Sequence, residues 1–274
     1  MATLGDHGSP ELSGVTAGGA DRPSMARDAA AGSASQRPAV PSAASRHPHL
    51  AAELGVGRVR VDLHVHTMWS GDAQTTPEEL AGAVTETGLD VVCVTDHGAV
   101  AGAKRFVETA ELGCRVIVGQ EFRTGSGEII GLFLSERLPF GLSPEQACDE
   151  IHAQGGIVYV PHPFDELRSA LAGAVLDRLV DQGRVDAIEV LNAKVRAPAA
   201  NRRAAEYAAA HDLAAGAGSD CHEPSALGAA YVEIEDFSGA RSFLAALRAA
   251  TIQGHHYDAA RAWRPRIVPS ISTI

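Results

Sequence analysis

The chain has 274 residues and a formal net charge of -11, with 34 Asp and Glu against 23 Lys and Arg. That balance argues against broad electrostatic attraction to long nucleic acid or to an anionic membrane, whose binders display a basic face. No apolar run reaches the roughly 18 residues of a membrane-spanning helix, the N-terminus lacks the basic head and hydrophobic stretch of a signal peptide, and the four cysteines form no C-x-x-C pair, so a reduced, cytoplasmic setting is expected.

Residues 1–55 are rich in Ala, Gly, Ser and Pro without a sustained apolar period, and read as a disordered extension. His47 and His49 fall inside it, and no role is expected of their spacing. Strands alternate with helices from residue 56 to 254, ahead of a C-terminal tail at 255–274. A strand over Arg58 to His64 precedes Thr76-Pro77-Glu78-Glu79, a capping box with proline in the first turn of a helix that ends near Gly88. Asp90 to Thr95 is a nearly all-apolar strand, as expected where both faces of a sheet are covered, with Cys93 a small buried side chain. A helix over Val100 to Leu112, a strand over Arg115 to Gly119 and an apolar strand over Glu128 to Leu134 follow. Ser143-Pro144-Glu145-Gln146 opens another capped helix, running to Gly155-Gly156. Further strands are expected at Ile157 to Val160, Asp186 to Leu191, Leu213 to Gly218 and Ala230 to Ile234. Helices are expected at Ala170 to Gln182, Pro198 to Ala210 and Ala240 to Ala250. The alternation predicts an α/β fold in one domain, either a parallel barrel or a doubly wound sheet. No G-x-G-x-x-G or Walker loop occurs at a strand-to-helix junction, so nucleotide-cofactor folds lose support.

The ionisable residues fall where such a fold would gather them. His64 and His66 share one face of the first strand, and alternation gives Asp62 the same face, suited to orienting a ligating imidazole from behind. Asp96-His97, Glu121, His162 and the pair Asp220 and His222 stand at the carboxyl ends of four other strands. In a parallel barrel those ends meet on one face, where the sites of such folds lie.

These stretches, Asp62-Leu63-His64-Val65-His66-Thr67, Thr95-Asp96-His97, Gly119-Gln120-Glu121, Pro161-His162-Pro163 and Gly218-Ser219-Asp220-Cys221-His222, resemble the signature motifs of the polymerase and histidinol phosphatase (PHP) superfamily of metal-dependent phosphoesterases. The resemblance covers about Arg58 to Ala250. It implies a distorted (β/α)7 barrel of the TIM-like kind with two or three divalent metal ions, manganese, iron or zinc. By the same resemblance His64, His66, Glu121 and Asp220 would hold one metal, with Glu121 bridging to a second that takes His162. Asp72, His97 and His222 would hold a third. One position departs: where many members carry a further histidine, this chain has Glu128 in Gly127-Glu128-Ile129-Ile130-Gly131. Glu128 is either a ligand, in which case its harder carboxylate favours manganese or iron over zinc, or a solvated residue opening a strand.

The implied chemistry is hydrolysis of a phosphate ester by water that the metals activate. His97, His162 or His222 could double as general acid for the leaving group, with a metal-bound water or Asp96 equally open because a ligating imidazole has one nitrogen occupied. Arg168, Lys194 and Arg196 are candidates to hold a substrate phosphate, with plain surface charge the competing account. Cys221 reads as core, Trp69 and Trp263 as pocket lining or packing, and His152, His211, His255 and His256 as surface histidines. The short link between Glu121 and His162 predicts an open pocket without a large lid. A small phosphorylated substrate such as a nucleotide or sugar phosphate fits the acidic balance. An exonuclease on short RNA or DNA, or a non-catalytic metal-stabilised PHP scaffold, are the rival readings.

Overall fold

The computed structural model describes residues 47–51 and 53–256. Trp263, most of the expected extension and most of the expected C-terminal tail lie outside the described residues. The strands and α-helices run β1 (Arg58–Val65), α1 (Pro77–Thr87), β2 (Val91–Val94), α2 (Ala101–Thr109), β3 (Arg115–Thr124), β4 (Gly127–Leu132), α3 (Pro144–Ala153), β5 (Ile157–Val160), α4 (Gly173–Asp181), β6 (Ala187–Asn192), α5 (Pro198–Ala210), β7 (Ala214–Gly218), β8 (Ala230–Glu235), α6 (Ala240–Leu247) and β9 (Thr251–Gly254). Local sequence sets the helix starts. Both expected capping boxes form, Thr76 with Glu79 ahead of α1 and Ser143 with Gln146 ahead of α3, each followed by proline in the first turn.

Among the described residues one sheet carries the strands in the order β7-β6-β5-β4-β3-β2-β1-β8-β9. It curls until the end of β7 meets the end of β1: Asp220 N donates to His64 O at 2.7 Å and His66 N donates to Cys221 O at 3.0 Å. The result is a nearly closed, distorted barrel rather than an open doubly wound sheet. β1, β2 and β3 are parallel, as are β5, β6 and β7. β4 is antiparallel to both β3 and β5. The reason is the link Gly125-Ser126, which is far too short for a crossover helix and closes a hairpin instead. β3 accordingly runs on to Thr124, past the expected end at Gly119, and Glu121 lies within a strand. β8 and β9 are antiparallel additions beside β1, β9 being a strand the sequence pattern did not signal.

β2 and β5 are buried along their whole length, as their apolar runs require. Val61, Leu63, Cys93, Ile130, Tyr159 and Val232 share one cluster. Val65, Val92 and Val94 pack with Leu80 and Val84 of α1 and Phe106 of α2. Val158, Val160 and Ile188 pack with Ile151 of α3 and Leu176 and Leu179 of α4. Full burial of each such side chain stabilises by about 1.5–3 kcal/mol.

The ordered fold also begins earlier than composition predicts. Pro48–Ala51 form a 3-10 turn whose Leu50 is buried with the α1 cluster. His47 Nε2 donates to Ser225 O at 3.1 Å and His49 Nε2 donates to Gly228 O at 2.9 Å. The histidine pair of no expected role thus fastens this turn to the barrel. His152 lies at the surface, as expected, and pairs with Asp186 at 2.8 Å. Cys93 and Cys221 are buried, as expected of small core side chains. Trp69 packs edge-on against Phe106, with centroids 5.7 Å apart.

Candidate metal centre

Register brings the ligating side chains together. His97 and Glu121 form a parallel bridge, with Glu121 N donating to Thr95 O at 3.0 Å. The closure of β7 onto β1 sets Asp220 beside His64 and His66. Two of the residues so placed, His162 at φ 29 and Asp220 at φ 51, hold left-handed backbone. Aspartate and histidine enter that region more readily than most side chains, but each such non-glycine position still costs about 1–3 kcal/mol.

Glu121 sits at the centre. Its Oε1 is 3.1 Å from His162 Nε2, and its Oε2 is 3.1 Å from His97 Nδ1, 3.3 Å from His66 Nε2 and 3.5 Å from His64 Nε2. Asp220 Oδ1 faces the same two imidazoles, 3.6 Å from His66 Nε2 and 3.9 Å from His64 Nε2. Asp72 Oδ2 bridges the outer pair, 3.3 Å from His97 Nε2 and 3.2 Å from His222 Nε2. Four overlapping sets have ligand atoms within 4.8 Å of one another: His64, His66 and Asp220; His64, Glu121 and His162; His66, His97 and His222; and His97, Glu121 and Glu128. The grouping differs from the implied partition in that His66 faces His97 and His222 as well as His64. The side chains of Asp72 and His97 are 28% and 29% exposed while those of His64, His66 and Glu121 are at or near zero, so the centre opens past Asp72 and His97.

Electrostatics follow from this crowding. Burial opposes charge on His64, but Asp220, Glu189 and Glu121 prevail and hold its imidazole well above the ordinary value. His66 is held well below, by burial and by the neighbouring His222 and His97. Burial works against a charged His97, yet the hydrogen bond to Asp72 and the charge of Glu121 raise it to about 9. Asp220 is fully buried and still falls well below the carboxylate range, because Arg168, Lys194 and His64 surround it.

Several expected roles change. Asp62 does not orient a ligating imidazole: its Oδ1 accepts from Ser219 N at 2.9 Å and His64 N at 3.2 Å, and its Oδ2 accepts from Gly228 N at 3.2 Å. The pairing register of β1 shifts between Asp62 and Val65, so the simple alternation that gave Asp62 the face of His64 and His66 is interrupted. Glu189 of β6 takes the orienting place, its Oε1 accepting from His64 Nδ1 at 3.2 Å. The same carboxylate accepts from His162 N at 2.7 Å and Asn192 Nδ2 at 2.9 Å. Glu189 and Ser70, whose hydroxyl lies 2.7 Å from His66 Nδ1, went unnoticed in the sequence. For Glu189 a signal existed, a carboxylate in the middle of the apolar run Ala187-Ile188-Glu189-Val190.

Asp96, a candidate catalytic acid, is buried and braces the end of β1, its two oxygens accepting from Thr67 N at 2.7 Å and Thr67 Oγ1 at 2.6 Å. Arg168, expected to hold a substrate phosphate, instead contacts groups of the centre in this structure. Its guanidinium binds Asp220 Oδ2, Asp165 Oδ2 at 3.0 Å and Asn192 Oδ1 at 3.0 Å. Lys194 does reach the centre, with Nζ 3.3 Å from Asp220 Oδ1 and 2.9 Å from His222 Nδ1. Arg196 is exposed and, among the described residues, makes no ion pair with it. Glu128 is not a solvated strand opener: it is buried, with Oε2 3.7 Å from His162 Nε2.

Comparison with known proteins agrees with this arrangement. The PHP domain model matches residues 62–166 and the PHP-associated model matches residues 198–252. An uncharacterized protein of Methanocaldococcus jannaschii is 38% identical over 149 residues, 49% of this chain and 82% of its own length. A second from the same organism is 33% identical over 182 residues, covering 66% and 72%. In three dimensions the fold is similar to that of a two-domain protein from Bacteroides vulgatus containing a predicted PHP-like metal-dependent phosphoesterase, at TM-score 0.62 and 22% identity over 74% of this chain and 68% of that one. With these matches, and with the His, Asp and Glu side chains gathered as described, the chain belongs to the PHP family.

Proposed function

We propose that the protein is a metal-dependent phosphoesterase that hydrolyses a phosphate ester of a small molecule such as a nucleotide or sugar phosphate. The observation that carries the reading is the position of Glu121, one carboxylate whose two oxygens face imidazoles on opposite sides and so can serve adjoining cations. The donor set fits such ions. Imidazole and carboxylate suit manganese, iron and zinc, and among the described residues Asp72 Oδ1 is buried without a hydrogen-bond partner. Divalent ions bound there supply an activated water and neutralise phosphoryl and leaving-group oxygens.

The chain's own groups do the positioning. His64, His66 and Asp220 would hold one ion, Glu121 with His162 a second, and His97 and His222 with Asp72 the outermost. Glu189 fixes the His64 ring so that Nε2 faces inward. Lys194 stands by His222 on the open side, where its ammonium can meet a phosphoryl oxygen, while His97 and His222 are the half-buried imidazoles placed to hand a proton to a leaving oxygen. The net charge of -11 supports a small substrate over a long nucleic acid. Among the described residues no helix is long and apolar enough to cross a membrane, and four free cysteines accord with a reducing, cytoplasmic setting.

The test is metal analysis of the purified protein, then phosphate release from a panel of mono- and diesters with added manganese. Bound metal and chelator-sensitive release are expected. Hydrolysis by a rigorously metal-free preparation would end the reading, and cleavage of oligonucleotides alone would replace it with a nuclease.

A further inference from the structure

Glu128 lies directly opposite Arg123 in the antiparallel register of β3 and β4. Side chains facing each other across such a pair are within reach, and here the arginine takes one carboxylate oxygen only. Arg123 Nε and Nη2 donate to Glu128 Oε1 at 3.1 and 2.7 Å. The other oxygen points toward the centre, 3.7 Å from His162 Nε2, and the Glu128 carboxylate groups with His97 and Glu121. Exposure divides the pair in the same way, 68% for the Arg123 side chain and 4% for that of Glu128. A carboxylate kept only to pair with a surface arginine would sit outside with it, because an exposed pair contributes little and burying a charge costs more than it returns unless further partners meet it. Glu128 instead reaches inward, and what it reaches is a set of metal-binding side chains.

We propose that Glu128 is a metal ligand through Oε2, and that Arg123 is the positioning residue that holds Oε1 and so turns Oε2 inward. The inference rests on the metal-dependent reading above and adds to it a choice of metal. With Glu121 and Glu128 both presented, this side of the centre is rich in anionic oxygen, which favours manganese or ferrous iron relative to zinc. The guanidinium also offsets the second carboxylate's charge, which lets two acidic groups share the site before a cation arrives.

The experiment uses the full chain, stripped with chelator and dialysed to equilibrium against equimolar manganese and zinc chlorides, with metal per chain counted by mass spectrometry. Glu128→Gln should lose one manganese equivalent that the wild type retains. Arg123→Gln should weaken that same equivalent about tenfold, as loss of a group orienting a ligand does. Glu128→His should keep the equivalent but shift its manganese-to-zinc ratio toward zinc. Glu128→Gln with wild-type stoichiometry and ratio would overturn the inference while leaving the phosphoesterase reading intact. A wild type that takes up no divalent ion would sink both. Circular dichroism checks folding; if Glu128→Gln fails to fold, Arg123→Gln decides, since its side chain stands mostly in solvent and an unchanged metal affinity there also overturns the inference.

Discussion

Glu189 Oε1 accepts a hydrogen bond from His64 Nδ1 at 3.2 Å in the wholly buried floor of the centre, and its second oxygen accepts from the backbone of His162 at 2.7 Å. One carboxylate on β6 therefore sets the tautomer of a ligand on β1 and braces the strained turn that carries another. Glu189→Gln keeps the shape but replaces one acceptor oxygen with a donor. Metal affinity should fall by about 10- to 100-fold with the fold intact. Isothermal titration of the chelator-stripped variant measures this, and wild-type affinity would remove Glu189 from the account.

Gly218, the last residue of β7, leaves no room for a side chain. A Cβ there would stand 2.3 Å from His64 Cβ and 2.7 Å from Glu189 Oε1. Gly218→Ala must push one of them aside, so stability should drop by about 1–3 kcal/mol and bound metal should fall with it. Urea unfolding and metal counting on the same sample test both; a variant with unchanged stability and metal would mean the strand end yields freely.

How far the sequence foretold all this depends on what periodicity can see. Both capping boxes, the apolar strands and the strand-end placement of His97, His162 and Asp220 are local patterns, and they are legible. The reversal of β4 escapes such patterns, although Thr124-Gly125-Ser126-Gly127 is a turn signal, because Glu128 to Leu134 has the unbroken apolar character of a parallel core strand. The pattern gives Asp62 the orienting role that Glu189 fills, because a register shift inside β1 breaks the alternation on which the face of Asp62 is argued, and nothing local announces such a shift. Arg168 shows a third limit. Its distance from the centre along the chain looked like that of a substrate contact, and only the folded loop reveals that Asp220, Asp165 and Asn192 already engage it.

His152 of α3 donates to Asp186, and this pairing raises its pKa above the ordinary 6.5 against the opposing effect of burial. A histidine raised in the folded state contributes stability that is complete below its unfolded value and is lost as pH rises through the folded one. His152→Gln should therefore cost stability at pH 5.5, by about 0.2–1 kcal/mol given the partly exposed pair, and almost none at pH 8.5. Denaturant midpoints of wild type and variant at the two pH values give the difference; an equal cost at both would show that charge plays no part.

His64 and Asp220 are the ligands most enclosed by others, His64 lying between Glu189, Glu121 and Asp220. His64→Ala or Asp220→Asn should remove bound metal and reduce phosphate release to background while the circular dichroism spectrum is retained. Turnover in either variant would count heavily against a metal-dependent reaction at this centre.

Arg168 separates two accounts of one side chain. As a substrate anchor it would raise KM when lost and leave the resting fold alone. In the structure its guanidinium is instead spent on Asp220, Asp165 and Asn192, with Asp220 held far below the carboxylate range through this contact first and Lys194 second, against the opposing effect of burial. Without Arg168, Asp220 remains buried with only Lys194 and nearby imidazoles to balance it, so the chelator-stripped Arg168→Gln protein should be less stable by about 1.5–3 kcal/mol, the range for hydrogen bonds to charged groups. Added metal should recover part of the loss, because a cation at Asp220 supplies the missing positive charge. Urea unfolding with and without manganese, beside KM for the best ester in the panel, distinguishes the two: unchanged stability with a raised KM returns Arg168 to the substrate, and lowered stability relieved by metal keeps it as the counter-charge of Asp220.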